Sequence, residues 1–212
     1  MGRLFAGYLL HVRHGVQGAS RTAGLTLLLG LSMVASASAS TWTVNQDNGT
    51  ISFSGKHANN AFKGEFKSWS GDIVFDPDNL ETARADVVVD LTSAVTGNML
   101  YDRALPGADW FLTDKMKQGR FVATEFRALT DNRYAADGNL TLRDIAVPVT
   151  LEFSFERKGA TAALKGMTTV KRMAWNIGKT SDAAGAWVSL DIPISIDAEL
   201  QSSGPAATAP KS

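Results

Sequence analysis

The sequence predicts an all-β fold, an antiparallel barrel or sandwich of roughly eight or nine strands, from three observations. Long runs alternate strictly between apolar and polar residues, the mark of a sheet with one dry and one wet face. Turn-forming residues separate these runs at short spacing. A single stretch, 96–118, breaks the alternation.

Taken in order, the chain opens on an address. Arg3, Arg13 and Arg21 are the only formal charges of the first forty residues, and an apolar run decays into small residues ending Ala37-Ser38-Ala39. Basic region, apolar region and Ala-x-Ala site in that order predict a cleaved secretory signal over 1–39 and a periplasmic or extracellular product. A membrane anchor would want roughly 20 apolar residues. No Arg-Arg pair points to twin-arginine export, and without cysteine there is no lipid-modified N-terminus.

The predicted domain spans 40–200. "TISFSG", "AFKGEFKSW" and "GDIVFD" are candidate early strands, closed by the turn Asp76-Pro77-Asp78-Asn79. "ARADVVVDLTS" turns Ala85, Val87, Val89 and Leu91 to one face. The excursion follows, read as one or two helical turns around Met99, Leu100 and Arg103, a Leu105-Pro106-Gly107 break, and a second short helix. Long non-strand insertions in β domains are usually lids or binding loops.

"RFVATEFRAL" and "RYAADGNLTL" resume the strands, with turns at Asp131-Asn132, Asp137-Gly138-Asn139 and Lys158-Gly159. "VPVTLEFSFE" alternates most clearly, turning Val147, Val149, Leu151, Phe153 and Phe155 inward. "TAALKGMTTVKRMAW" is a weaker strand, and "WVSLDIPISIDAEL" places Val188, Leu190, Ile192, Ile194, Ile196 and Ala198 on one face. The small, polar end 201–212 is expected to be a disordered tail.

Composition narrows the chemistry. Without the leader's three arginines, 18 basic residues face 21 acidic ones, a net charge of −3 with no basic block. Nucleic-acid binding needs clustered Lys and Arg, so it is not expected. With no cysteine, the exported chain is held by packing alone. After the leader, His57 is the sole histidine, which removes Cys nucleophiles and any site needing two histidines. No nucleophile elbow, dinucleotide fingerprint or phosphate loop occurs. Glu152, Glu156, Asp191, Asp197 and Glu199 fall on wet strand faces, which leaves a carboxylate hydrolase as the weakest reading. No catalytic residue, metal or cofactor is expected. His57, in "GKHANN", reads first as an exposed hairpin residue and second as a polar contact at a pocket rim.

Aromatic residues are numerous for one small barrel, and rings ordinarily fill cores. Eight closed strands, however, leave an interior that either fills with side chains or holds one small ligand. Gly55, Gly64 and Gly71, with the Ala/Thr-rich strands over 121–142, keep inward positions small and favour an apolar cavity.

The ordered pieces "FKGEFKSWSGDIVFDPDNL", "VDLTSAVTGN…YDRAL", "ADWF", "FVATEFRAL" and "YAADGNLTLRDIAVPVTLEF" resemble the YceI-like family of exported polyisoprenoid-binding proteins over about Thr41 to Leu200. "ADWF" resembles the branch associated with cytochrome b561-like membrane proteins. Leu112, Met116, Lys117, Asp144, Ala174 and Asn176 depart from the family pattern around the pocket entrance. The resemblance implies an eight-stranded, lipocalin-like antiparallel barrel with a short helical excursion, enclosing a pocket for an isoprenoid lipid or quinone. Phe53, Phe66, Trp69, Val89, Leu91, Trp110, Phe111, Phe126 and Trp175 are the expected pocket residues, acting by apolar contact. The alternative is a ligand-free module docking on a cytochrome b561-like protein.

Overall fold

The computed structural model describes residues 40–205. The expected leader, 1–39, and positions 206–212 of the expected tail lie outside the described residues.

Ten strand segments build the fold: β1 (Ser40–His57), β2 (Asn60–Phe66), β3 (Trp69–Phe75), β4 (Arg84–Asp90), β5 (Ala94–Val95), β6 (Gln118–Ala128), β7 (Arg133–Leu142), β8 (Ile145–Lys158), β9 (Thr161–Lys171) and β10 (Asp191–Pro205). They form eight barrel strands. β2 and β3 pair with successive parts of β1, and β5 and β4 pair in turn with β2 and β3, so each couple is one interrupted strand. Pairing of β1 with β10, from Ser40 opposite Pro205 to Phe53 opposite Ile194, closes the ring. Closure removes the exposed edges that an open sheet presents.

Serines manage the interruptions. The Ser68 N–H donates to Ser93 Oγ (3.0 Å), which itself donates to the Asp90 carbonyl (2.6 Å). Asp90 caps the short 3-10 turn Leu91–Ser93 by accepting from the Thr92 N–H. Backbone groups freed by the break are thereby satisfied, and Leu91 still points inward, fully buried.

The inward faces divide the barrel along its axis. At one end Trp42, Phe75, Tyr134, Phe153 and Phe155 interlock, with Phe75 4.8 Å from Phe155 and 5.0 Å from Tyr134 between ring centroids. Ala123, Ala136, Ala162 and Ala198 supply the small positions that let these rings fit. The Trp42 indole N–H donates to the Phe75 carbonyl at 3.1 Å, so the ring is buried without an orphaned donor. Toward the other end, residues of the same inward parity (Val147, Val149 and Leu151 on β8; Ile192, Ile194 and Ile196 on β10) are only half-buried. An inward apolar residue that keeps its exposure borders a cavity.

Four expectations change. Asp137-Gly138-Asn139 forms no turn but lies inside β7, where Gly138 pairs with Ala123 and Val149, and the β7–β8 hairpin turns at left-handed Arg143 and Asp144. The excursion contains one helix, α1 (Met99–Ala104), and no second one: from Leu105 the chain folds into turns, with Leu112 in the left-handed region at φ 57°. A second excursion, Arg172–Leu190, replaces the expected start of the last strand. Leu190 is exposed, and Val188 makes one isolated bridge to His57 rather than a ladder. The cause is Arg172, whose inward parity would leave a guanidinium in an apolar barrel. The backbone instead curls into a 3-10 turn, Arg172–Trp175, followed by left-handed Asn176 and Gly178. Finally, β10 runs through Pro205, so residues 201–205 belong to the barrel.

Candidate functional site: an apolar barrel cavity and its mouth

The open half of the barrel encloses a cavity of about 230 Å³, and a second chamber of about 280 Å³ lies at its mouth. Phe53, Phe62, Leu105, Trp110 and Val188 border both, so the chambers are adjacent. Each alone falls under the roughly 300 Å³ at which small-molecule sites begin; an elongated guest spanning both meets it.

All nine residues expected from the sequence border the inner cavity. Phe53, Phe66 and Phe111 form an aromatic wall with centroid separations of 5.2 to 6.4 Å. Val89 and Leu91 continue β4, while Phe126 and Trp69 sit toward the packed end. Trp175 is a fixed panel: it is buried, and its indole N–H donates to the Leu140 carbonyl (3.1 Å). Trp110 differs from Phe111 because it borders both chambers, as a partition, whereas Phe111 borders only the inner one.

The glycines act differently from expectation. They do not leave empty space; rings already lie on them. A Cβ at Gly64 would fall 2.2 Å from Phe53 Cζ, and one at Gly55 would meet the Phe62 ring and Ser189. At Gly71 the space belongs to Val87. Gly64 and Gly55 let the Phe53 and Phe62 rings approach the backbone of the barrel wall.

The stretch around the two adjacent aromatics is held from within and from outside. Within, the Phe111 N–H donates to the Leu105 carbonyl and the Thr113 N–H to the Pro106 carbonyl. From outside, the Arg143 guanidinium donates to the carbonyls of Ala108, Asp109, Trp110 and Asn176 at 2.7 to 3.2 Å. Asp109 accepts from the Thr180 N–H, the Ser181 N–H and the Ser181 hydroxyl, joining this stretch to the second excursion. Burial opposes ionisation of Asp109, but these hydrogen bonds outweigh it, the Ser181 hydroxyl's foremost, and bring its pKa to about 2.

Arg172 is the one cationic side chain buried among the described residues. It pairs with Asp182 at 2.8 Å, the two side chains being 3% and 5% exposed. Its remaining donors go to the carbonyls of Ser189, Ile177, Asp182 and Val188. Burial pushes the Asp182 pKa upward, yet N–H groups of Val188 and Trp187 and the Arg172 charge hold it below the ordinary value. Trp110 lies over the guanidinium at 5.8 Å. Arg172 therefore serves as a knot for the loop and brings no free donor to the cavity.

His57 is half-buried at the rim rather than exposed on its hairpin. Its Nδ1 lies 3.1 Å from the Tyr101 hydroxyl, fastening α1 to the end of β1. Trp187 stands opposite, 61% exposed, its ring 6.5 Å from the imidazole. Tyr101, Arg143, Arg172 and Asp182 escaped the sequence reading.

Comparison with known proteins matches this architecture. The model of the YceI-like domain family fits residues 42–200. A UPF0312 protein of Yersinia pestis is 28% identical over 185 residues, covering 80% of this chain and 95% of its own. A UPF0312 protein of Vibrio campbellii is 28% identical over 137 residues, covering 64% and 72%. Among solved structures, Burkholderia cenocepacia BcnA superposes with a TM-score of 0.71 at 27% identity, over 74% of this chain and 98% of its own. A polyisoprenoid binding domain from Saccharophagus degradans superposes with a TM-score of 0.58 over 78% and 99%; at 14% identity it shares the fold alone. With the family's pattern running from β1 into β10 across the whole barrel, this chain belongs to the YceI-like domain family.

Proposed function

We propose that this protein binds an isoprenoid lipid or quinone-like amphiphile in the barrel, to sequester or carry it, without chemistry of its own. The carrying observation is the lining: a cavity walled by aromatic and aliphatic side chains whose one deep cation has spent its donors. At about 0.8 kcal/mol per buried CH₂, each isoprene unit offers on the order of 3–4 kcal/mol gross. Ordering a floppy chain returns much of that, so several buried units hold a guest without a charged anchor. The polyisoprenoid-binding neighbour supports the same ligand class. With the leader cleaved, the proposed setting is the periplasm. The test is native purification from cells with intact quinone pools, solvent extraction and mass spectrometry. Recovery of an isoprenoid supports the reading; no recovered lipid and no binding of added isoprenoid defeats it.

One observation favours a second reading, docking on a cytochrome b561-like membrane protein. Met99 and Leu100 on α1 are 67% and 71% exposed and share the barrel's mouth end with exposed Trp187. Replacing Met99, which borders neither chamber, with Ser separates the readings: docking predicts lost partner capture with lipid loading intact.

A further inference from the structure

The mouth chamber carries chemistry that the inner cavity lacks. Its lining includes His57, Thr96, Tyr101 and Ser181, but no lysine or arginine. Its acid, Asp182, is tied to Arg172, and Asp109, ionised with a pKa near 2, lies directly behind Ser181. A phosphate placed here would meet carboxylates and no free cation. Anionic heads are ordinarily held by charge-assisted or bidentate bonds from Arg or Lys.

The His57–Tyr101 pair has a property independent of tautomer. If the Tyr101 hydroxyl donates to Nδ1, Nε2–H remains a donor and the phenol oxygen an acceptor. If Nδ1–H donates to the phenol oxygen, the hydroxyl hydrogen remains a donor and Nε2 an acceptor. Either way the pair presents one donor and one acceptor. A carbonyl oxygen accepts from the donor, and a hydroxyl can use both groups. Around the pair, Phe62 lies 6.1 Å from Tyr101 and Trp187 6.5 Å from His57 between ring centroids, so a flat head has aromatic surfaces to rest on.

We propose that the mouth chamber is a head-group subsite, in which His57 and Tyr101 hydrogen-bond the carbonyl or hydroxyl of an uncharged isoprenoid such as a quinone and discriminate against polyprenyl phosphates. This inference rests on the reading of the barrel as an isoprenoid site. The tail enters the inner cavity past Trp110, and the head stops at the pair. His57 and Tyr101 determine specificity and take part in no bond-making step.

The experiment is a tryptophan-fluorescence titration of the mature protein with three ligands of equal tail: a two-isoprene benzoquinone, the headless hydrocarbon and the polyprenyl monophosphate. The expected result is quinone affinity at least tenfold above both others. Tyr101→Phe and His57→Ala should each cut that advantage about fivefold or more and leave hydrocarbon affinity unchanged. Tyr101→Phe keeps the ring, so an unchanged circular dichroism melt separates head recognition from loss of fold. Equal binding of quinone and hydrocarbon, a phosphate bound as tightly as the quinone, or variants that retain the full preference would overturn the inference while leaving the barrel reading intact. Failure of all three ligands to bind would overturn both.

Discussion

Arg143 holds Trp110 by its backbone: one guanidinium nitrogen donates to the Trp110 carbonyl at 3.1 Å and to the Asn176 carbonyl at 2.7 Å. One side chain, left-handed at φ 51° in the β7–β8 hairpin, thus fixes the aromatic partition against both excursions. Arg143→Ala should lower stability by about 2 kcal/mol or more, since hydrogen bonds from a charged donor contribute roughly 1.5–3 kcal/mol each and four carbonyls lose a partner. Hydrogen exchange should locate the loss in residues 105–117 and 176–182. A uniform loss of protection across the barrel instead would refute a local clamp.

Arg172 and Asp182 form a second, buried tie. Removing one partner strands a charge, so Asp182→Ala should cost about 3–5 kcal/mol in urea unfolding. The double replacement Arg172→Met with Asp182→Ala removes both charges and should cost less than the two single replacements added together. An additive outcome would show that the pair is not coupled.

Asp109 gives the mouth an acid-sensitive seam. Its folded pKa is about 2, against an unfolded value of about 3.9. The unfolded chain therefore binds the proton first as pH falls. Stability from this carboxylate is fully present above about pH 4 and is lost as pH drops through about 2. Melts of wild type and Asp109→Ala should differ at neutral pH and converge toward about pH 2. A difference that persists unchanged in acid would mean that the contribution does not come from the ionised carboxylate.

How much of this was legible beforehand follows from what kind of contact each feature needs. The alternation in β8 and β10 is local, with period two, so their inward faces could be read directly, and the same parity turned Val89 and Leu91 inward; Trp110, Phe111 and Trp175 lie outside the strands, where parity says nothing. Tyr101 and His57 stand 44 positions apart, and nothing in either segment announces the other. Arg143 was illegible for a different reason: its partners are backbone carbonyls, which carry no residue identity. Leu190 fits the alternation of β10 but is not in that strand, because the buried Arg172 diverts the chain before the pattern can act.

Gly64 sits beneath the Phe53 ring, with no space for a methyl group. Gly64→Ala should destabilise by about 1–3 kcal/mol, the usual cost of overpacking. Pairing it with Phe53→Leu should recover part of that loss. If Gly64→Ala is harmless, the ring is not pressed on the barrel wall.

Trp110 and Phe111 should separate kinetically once a guest is bound. Phe111 faces only the inner cavity, beside Phe53 and Phe66, so Phe111→Ala removes apolar contact with a buried tail. Losing a large ring from such a wall should weaken isoprenoid affinity by roughly tenfold or more, since burying a Phe side chain contributes about 1.5–3 kcal/mol. Trp110 borders both chambers and lies over Arg172. Trp110→Ala should therefore open the partition and speed both entry and release, with a smaller change in affinity than Phe111→Ala. Stopped-flow mixing with a short-chain quinone reads both rates, and affinity follows from their ratio. Equal rate changes in the two variants would mean that neither ring acts as a partition and that both are merely wall.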